Sequence, residues 1–351
     1  MELKKFNYLL LIIPIFISLL GVLTLLSTAK NLAKSHVIFL ALGLVIYFGT
    51  AFFDYLIFKF HWKYMYFFVL ILLILTFIGG VEKLGAVRWL NFKEFSIQPS
   101  EYAKAVVIIS SAALISKSKD SLKGIKNLLL LAVPFFSLII FVLVQPDLGT
   151  TIVIFLVFAG ILFYAGLDWF YFAFVTVLFG IFSNPVWNLL KDYQKNRILV
   201  FLNPSLDKLG FGYNVIQSTI AIGSGMLFGM GFGRGTQTHL QFLPVYWTDF
   251  IFAAFAEEWG FIGVFGIISL YVILLFLLIK LSLKVKDTFG SLIIFGVFMM
   301  FFSQFLVNVG MNLGLMPVTG IPLPLVSYGG NSLIVSMFLL GLVQSVVIRN
   351  S

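Results

Sequence analysis

Hydrophobic residues form long runs along almost the whole chain, separated by short polar segments. Ten of these runs are predicted to be helices, because most approach the roughly 20 residues that a helix needs to cross a bilayer. They cover residues 8–26, 37–53, 64–79, 102–115, 128–144, 148–166, 169–190, 250–281, 292–315 and 325–348. A cleaved signal peptide is the alternative for the first run, but the many runs that follow favour an uncleaved helix. The pattern predicts an all-α polytopic membrane protein.

Lysine and arginine positions orient these helices. With the N-terminus inside, twelve of them fall on the inner side, among them Lys4 and Lys119, and six fall in short outer loops, among them Lys93. This bias places both ends of the chain in the cytoplasm. Residues 214–233 carry no charge and could form an eleventh span. An added span would put the lysines at 280–286 outside, so this segment is predicted to stay at the surface or to re-enter.

Composition excludes several classes of function. The chain is 61% hydrophobic and 11% charged, which leaves no soluble domain and predicts a single membrane domain over residues 1–351. Cysteine is absent, so disulfides, thiolate metal sites and cysteine nucleophiles are excluded. The three histidines are far apart in sequence and suggest no zinc cluster. No Walker lysine, HExxH or nucleophile elbow occurs, and neither an organic cofactor nor nucleic-acid binding is expected.

Three carboxylates lie where a polar loop enters the run 250–281, namely Asp249, Glu257 and Glu258. A carboxylate at membrane depth costs roughly 2–4 kcal/mol, so acids there are usually paired, water-facing or functional. Asp249 could instead cap the helix that follows it. These residues alone leave capping and chemistry equally open. Glu257, about two turns further on, is expected to be buried against Lys104 as structural support.

Other unusual polar groups fall on the predicted outer side. Gln98 and Glu101 open the fourth helix beside a proline at its start, and QPD at 145–147 opens the sixth in the same way. Lys104 lies one turn into an apolar helix on the face of Glu101, with a snorkelling side chain as the alternative. Residues 316–332 hold three prolines and three glycines, which predicts a rigid wall for a ligand or partner. The cluster suits an anchored lipid with a polar head.

Seven motifs, in order along the chain, resemble the SEDS family of bacterial cell-wall proteins, which includes RodA, FtsW and SpoVE. The motifs are QPSE-x-x-K at 98–104, QPDLGT at 145–150, RILVFLNP at 197–204, YNVIQSTIAIGSG at 213–225, GTQTHLQFLP at 235–244, TDFIFA-x-x-AEE-x-GF at 248–261 and GIPLPLVSYGG at 320–330. QPDLGT, the GTQ run and GIPLP look more like the rod-shape members. The resemblance implies about ten helices in the bacterial cytoplasmic membrane, with a large extracellular loop, about 191–247, between helices 7 and 8.

The chain departs from the family pattern at three places. Relatives commonly have LPE-x-H before TDF, whereas this chain has Val245, Tyr246 and Trp247 there, without an acid or a histidine. Met226 stands where a glycine often follows GSG, and the usual SYGGSS reads SYGGNS at Asn331. Asp249 itself is kept.

The resemblance implies polymerisation of lipid II into glycan strands for elongation and rod shape, releasing undecaprenyl pyrophosphate at the outer face. Asp249 is then expected to be the general base. Substrate contacts are expected from Arg88, Gln98, Glu101, Lys104, Arg197, Gln217, Gln237, Glu257, Ser327 and Tyr328. A divalent cation, Mg²⁺ or Mn²⁺, is the candidate bridge between the phosphates.

The implied partners are a class B penicillin-binding protein with transpeptidase activity and other membrane proteins of the elongation complex. Two other functions stay open at this point: a transporter that flips lipid II, and a non-catalytic scaffold for the transpeptidase. The loop 191–247 is expected to lie across the outer mouth of the site as a flexible cover rather than a folded domain, with Ser218 and Ser224 reachable by reagents from outside.

Overall fold

The computed structural model describes residues 5–83, 86–92, 95–117, 122–190, 192–207 and 210–350. Outside these ranges lie three lysines of the charge bias, Lys4, Lys93 and Lys119. Lys191, the first residue of the predicted loop 191–247, lies outside them as well.

Helices make up most of the described chain, and every predicted apolar run coincides with at least one of them. They are α1 (Leu9–Thr28), α2 (Lys30–Phe52), α3 (Leu56–Gly79), α4 (Pro99–Ile115), α5 (Ile125–Val144), α6 (Leu148–Tyr164), α7 (Trp169–Ile181), α8 (Ser183–Leu189), α9 (Asp192–Leu202), α10 (Phe211–Ser224), α11 (Thr236–His239), α12 (Ile251–Lys284), α13 (Thr288–Asn312) and α14 (Gly330–Asn350). Within the described ranges, seven of them are long and apolar enough to cross a membrane, and α6 and α7 are shorter apolar helices. The membrane class is confirmed, and the count of ten spans stays a prediction.

A small antiparallel sheet, which the sequence analysis did not predict, connects α3 to α4. Its strands are β1 (Val81–Lys83), β2 (Ala86–Phe92) and β3 (Phe95–Ile97), in that spatial order. The sheet carries Arg88 on its central strand. It also touches the bundle through Asn331, whose side chain donates to the carbonyl of Ser96 at 2.9 Å and accepts from the hydroxyl of Tyr102 at 3.2 Å.

Contacts between helix termini distinguish two ends of the bundle. At one end, Asn350 donates to the hydroxyl of Tyr55 at 3.0 Å, and Asn350 and Lys5 line the same groove. Both ends of the described chain therefore lie together, as an even number of spans requires. The starts of α4, α6, α12 and α14 lie at the opposite end, where the polar motifs meet.

Helix α12 is interrupted at Gly260, whose φ of 62° and ψ of −165° are not helical. The interruption leaves backbone groups of α12 without helical partners. These groups form hydrogen bonds with the loop 225–233, called the glycine loop below. The hydrogen bonds are Met230 N to Glu257 O (2.9 Å), Gly231 N to Glu258 O (3.1 Å), Phe261 N to Met226 O (2.8 Å) and Ile262 N to Leu227 O (3.1 Å). Buried backbone groups must be paired, so the glycine loop completes α12.

The segment before α12 is a packed part of the fold, and the expectation of a flexible cover is wrong. It forms α9, a 3₁₀ turn (Pro204–Leu206), α10 and α11. The hydroxyl of Ser218 is fully buried and donates to the carbonyl of Asn312 at 2.8 Å. Ser218 is therefore unsuited to labelling, whereas Ser224 is partly exposed. Residues 214–233 form most of α10 and then turns, rather than a spanning helix.

Candidate active site

Asp249 lies in a turn immediately before α12, and two amides of α13 fix its backbone. Asn308 and Asn312 each donate from Nδ2 to the Asp249 carbonyl at 3.0 Å. Residues four apart on a helix share one face, which explains how both side chains reach the same oxygen. Helix α12 begins after Phe250 without a side-chain cap. The capping interpretation of Asp249 is therefore not supported, and the Asp249 carboxyl group is available to react.

Residues 316–329, called the wall loop below, form one side of the Asp249 turn. The Ser327 hydroxyl donates to the Thr248 carbonyl at 2.6 Å and accepts from the Leu323 N–H at 2.8 Å. The Tyr328 N–H donates to the carbonyl of Trp247 at 2.9 Å. Two residues expected to contact substrate, Ser327 and Tyr328, thus hold the backbone that leads to Asp249.

The wall loop also approaches the carboxyl group itself. Gly320 has a φ of 75°, and a Cβ atom at this position would lie 3.6 Å from Oδ2 of Asp249. Glycine adopts this φ without steric cost. Asn308 links the same two segments, since its Nδ2 donates to the carbonyl of Ile321 at 2.7 Å.

Burial raises the pKa of Asp249 from the usual 3.8 to about 6. A hydrogen bond from the Thr248 side chain and the positive charges of Arg197 and Arg88 act in the opposite direction, and the charge of Asp147 adds to the increase. Asp249 stays partly exposed. A carboxyl group with a pKa just below neutral is ionised at physiological pH and still basic enough to accept a proton.

Asp147 joins the two helix starts that the sequence analysis described separately. It caps α6 by accepting from the Thr150 N–H at 3.2 Å, and it accepts from the Ser100 hydroxyl at 3.1 Å and from Gln98 Nε2 at 3.5 Å. The distance between Arg88 NH1 and Asp147 Oδ1 is 3.6 Å. The QPD motif therefore does more than begin a helix, because Asp147 also anchors an arginine whose charge acts on Asp249.

Both arginines donate hydrogen bonds to backbone carbonyls around the site. Arg88 donates from Nε to the carbonyl of Gln145 at 3.1 Å and from NH2 to the carbonyl of Pro146. Arg197 donates from NH1 to the carbonyl of Thr319 at 3.1 Å and stands over the ring of Phe211 at 4.8 Å. The structure thus brings Arg88 and Arg197 into the electrostatic environment of Asp249, although the sequence places them far apart.

Lys104 pairs with Glu101, and the predicted pairing of Lys104 with Glu257 is wrong. The Lys104 Nζ lies 2.8 Å from Glu101 Oε2, and both side chains are buried. The spacing of three residues on α4 explains the contact. A snorkelling Lys104 is excluded by the same observation.

Glu257 instead holds the start of α11. Its Oε1 accepts from the Gln237 N–H at 2.7 Å, and its Oε2 accepts from the N–H and hydroxyl of Thr238 at 3.2 and 2.7 Å. Gln237 and Gln217, on α11 and α10, are not among the groups whose charge or hydrogen bonds act on Asp249. Their expected substrate contacts stay predictions.

The described residues contain no group of three or more His, Asp or Glu side chains that could hold a metal ion. Asp147 already accepts from Thr150, Ser100 and Gln98. The Asp249 carboxyl can supply one ligand, and Mg²⁺ bound through one or two carboxylates together with substrate phosphates is a common arrangement. Asp249 therefore fits a cation shared with substrate.

Comparison with known proteins gives a consistent result. A family model covering FtsW, RodA and SpoVE, described as cell cycle protein, matches residues 4–351. The peptidoglycan glycosyltransferase MrdB of Escherichia coli K12 is 41% identical over 284 residues, which cover 81% of this chain and 76% of MrdB. The peptidoglycan glycosyltransferase RodA of Treponema pallidum is 34% identical, covering 99% of this chain and 98% of RodA.

Solved structures share the fold over nearly the whole chain. One comes from a study of a peptidoglycan synthase complex that coordinates polymerization and crosslinking. It has a TM-score of 0.85 and 33% identity, covering 98% of both chains. The rod shape determining protein RodA of Thermus thermophilus has a TM-score of 0.74 and 29% identity, covering 98% of this chain and 97% of its own.

Proposed function

The chain belongs to the FtsW, RodA and SpoVE family of cell cycle proteins, and we propose that it polymerises lipid II into glycan strands with Asp249 as the general base. It is a multi-pass membrane protein and a peptidoglycan glycosyltransferase of cell elongation, the activity for which MrdB and RodA are named. The observation that carries the role of Asp249 is a partly buried carboxyl group, with a pKa near 6, on a backbone fixed by α13 and the wall loop.

In the proposed reaction, the ionised Asp249 carboxylate accepts the proton of the acceptor sugar hydroxyl. The hydroxyl oxygen then bonds to the anomeric carbon of the donor sugar, and the bond from that carbon to the pyrophosphate oxygen breaks. Undecaprenyl pyrophosphate leaves with the electron pair. General-base assistance of this kind contributes about 10²–10⁴-fold to a rate.

Arg88 and Arg197 are proposed to stabilise the negative charge that develops on the departing pyrophosphate. Both already act electrostatically on Asp249, so an anion that reaches Asp249 enters the same positive field. The buried pair of Glu101 and Lys104 is proposed to support the adjacent start of α4, where Gln98 and Ser100 hold Asp147. A divalent cation, when bound by Asp249 and the phosphates, would add positive charge at the leaving group.

We place the site at the outer face of the bacterial cytoplasmic membrane, with both chain ends in the cytoplasm. The proposed partner is a transpeptidase of the class B penicillin-binding type, together with other membrane proteins of the elongation complex. The structurally similar synthase complex, which couples polymerization to crosslinking, supports such a partner. Scaffolding of this kind is compatible with catalysis by the chain itself.

The test is polymerisation of lipid II by the purified protein, with products separated on a gel. Asp249→Asn keeps the size of the side chain and one acceptor oxygen but cannot accept the proton, so glycan strands should be lost. Asp168→Asn is the matched control, because Asp168 caps α7 through the Phe170 N–H at 2.9 Å and asparagine caps equally well. Polymer of unchanged amount from Asp249→Asn would remove the base role. Lipid II movement without polymer from the wild type would favour the transporter.

A further inference from the structure

A groove opens beside the Asp249 turn, between the corner that joins α1 to α2 and two of the residues at which the chain departs from its family pattern, Tyr246 and Trp247. We call it the aromatic groove. It is lined by Ala29, Lys30, Asn31 and Leu32 from the corner and by Tyr246 and Trp247 from the turn. It therefore offers two aromatic rings, an ammonium group and an amide on one concave surface.

The rings of Tyr246 and Trp247 are held at an angle that leaves ring surface available. Their centroids are 4.8 Å apart and their planes are inclined at 86°. In an edge-to-face pair, the ring that presents its edge keeps both faces outside the pair. Both residues are partly exposed. The pair can therefore receive a flat, weakly polar partner.

The backbone under the rings is fixed, which distinguishes this pair from aromatic residues that merely border a membrane. Val245 adopts a φ of 50°, a costly conformation for a β-branched residue. The carbonyl of Trp247 accepts from the Tyr328 N–H at 2.9 Å. A side chain that only faces lipid headgroups needs no such constraint, whereas a ligand site gains from it.

The aromatic groove lies next to the proposed catalytic site along the chain. Trp247 and Asp249 are two residues apart, so their Cα atoms lie within about 7 Å of each other. A substrate that places a hydroxyl at Asp249 therefore extends over the neighbouring residues. Aromatic side chains combined with a few polar groups are typical of sites for small molecules.

We propose that the aromatic groove binds the carbohydrate of the substrate, with a sugar ring against Trp247 and Tyr246 and with Asn31 meeting its polar groups. This inference rests on the proposed function and makes Trp247 a specificity-determining residue of this chain. Lys30 is proposed to meet a carboxylate of the peptide carried by the sugar. Pyrophosphate is the weaker candidate for Lys30, because Arg88 and Arg197 are the cations that act on Asp249.

Binding is measured by calorimetry in detergent, with muramyl oligosaccharides that carry the peptide but no lipid. The protein carries Asp249→Asn throughout, so that turnover does not interfere. Trp247→Ala should weaken binding about tenfold or more, given the interaction energy of aromatic contacts, and Trp247→Phe should recover most of it. Trp169→Ala is the control, because Trp169 is 73% exposed at the start of α7, away from the groove. Equal affinity for Trp247→Ala and Trp169→Ala would overturn the proposal.

The role of Lys30 is tested with three probes, namely the oligosaccharide with peptide, the same oligosaccharide without peptide, and inorganic pyrophosphate. Lys30→Gln should weaken only the first, and the loss should shrink as salt is added. A loss confined to pyrophosphate, or no loss with any probe, would overturn the carboxylate assignment.

These experiments distinguish a failure of the groove proposal from a failure of the proposed function and from misfolding of a variant. Each variant is first compared with the parent by its thermal unfolding temperature, and Trp247→Phe provides a conservative replacement if Trp247→Ala unfolds. Failure of the wild type to polymerise lipid II would overturn the enzyme assignment while leaving the binding results valid. Normal polymerisation by the wild type, with no effect of Trp247→Ala on oligosaccharide binding, would overturn only the groove proposal.

Discussion

At the scale of single residues, the raised pKa of Asp249 has a measurable consequence. Only the ionised carboxylate can accept a proton, so kcat/KM for lipid II should rise with pH and reach half its maximum near pH 6. The charge of Arg88 lowers this pKa. Arg88→Gln should therefore move the midpoint to higher pH, in addition to any loss of rate. Rates measured from pH 4.5 to 8.5 decide this.

Arg234→Gln serves as the control for that measurement, because Arg234 is exposed and is not among the charges that act on Asp249. It should leave the midpoint unchanged. A midpoint that stays in place in Arg88→Gln, or that moves to lower pH, would contradict the electrostatic assignment.

The buried pair of Glu101 and Lys104 predicts a difference between single and double substitutions. Removing one partner leaves an unpaired charge in the interior, which typically costs about 3–5 kcal/mol, whereas replacing both by apolar residues of similar size is often neutral. Lys104→Met and Glu101→Leu should each lower the unfolding temperature sharply, and the double variant should recover it. Polymerisation should stay impaired in the double variant if the pair also serves the substrate.

A double variant that is both stable and fully active would restrict the pair to a structural role. Single variants as stable as the wild type would show that the pair is not buried as the structure has it. Unfolding temperature and polymer yield are therefore measured on the same preparations.

At the scale of elements, the interruption of α12 connects the catalytic end of that helix to the glycine loop. A Cβ atom on Gly260 would collide with the backbone N of Gly229 and lie within 2.8 Å of two carbonyl oxygens of the glycine loop. Gly260→Ala should therefore cost about 1–3 kcal/mol for the backbone conformation alone, with the collision in addition. The expected result is a large fall in the unfolding temperature.

Gly266→Ala is the matched control, since Gly266 lies in the same helix and a Cβ atom there meets nothing within 4 Å. Alanine is favoured over glycine inside a helix by about 1 kcal/mol, so this variant should be as stable as the wild type or more stable. Similar behaviour of the two variants would mean that α12 runs through Gly260 without a break.

Sequence patterns predicted these elements well where a run was long and apolar, and less well where polar residues belong to a helix. Helix α3 begins at Leu56, eight residues before the predicted start at 64, because Lys59, His61 and Lys63 occupy its first turns. Helices α10 and α11 were missed because their glycine and polar residues resemble a loop. Their pairing partners lie in later helices, with Asn312 94 residues after Ser218 and Glu257 20 residues after Gln237.

The candidate site was predicted unevenly for the same physical reason. Asp249 was identified because a carboxylate before an apolar run is costly and so invites explanation. Asn308 and Asn312 were missed, although two amides four residues apart in an apolar helix indicate a shared partner. Asp147 was interpreted only as part of a helix start. Periodicity along one helix gives no information about contacts between helices, which is why Glu257 was given the wrong partner.

At the scale of the whole molecule, the positions of the two ends of the bundle make the membrane orientation testable. The chain has no cysteine, so a single introduced cysteine gives an unambiguous label. Arg234 and Lys286 are both exposed. The residue next to Arg234, Gly233, donates its N–H to Glu258 near the start of α12, whereas Lys286 lies in the turn between α12 and α13 at the other end.

A maleimide that cannot cross the membrane should label Arg234→Cys in intact cells, and should label Lys286→Cys only after the membrane is permeabilised. The lysine-rich turn is expected inside because positive charge favours the cytoplasmic side, and lipid-linked substrate is then polymerised outside. The reverse labelling would place Asp249 on the cytoplasmic side and exclude polymerisation at the outer face. Labelling of both cysteines from one side would mean that α12 does not cross the membrane, because the two labels lie near its two ends.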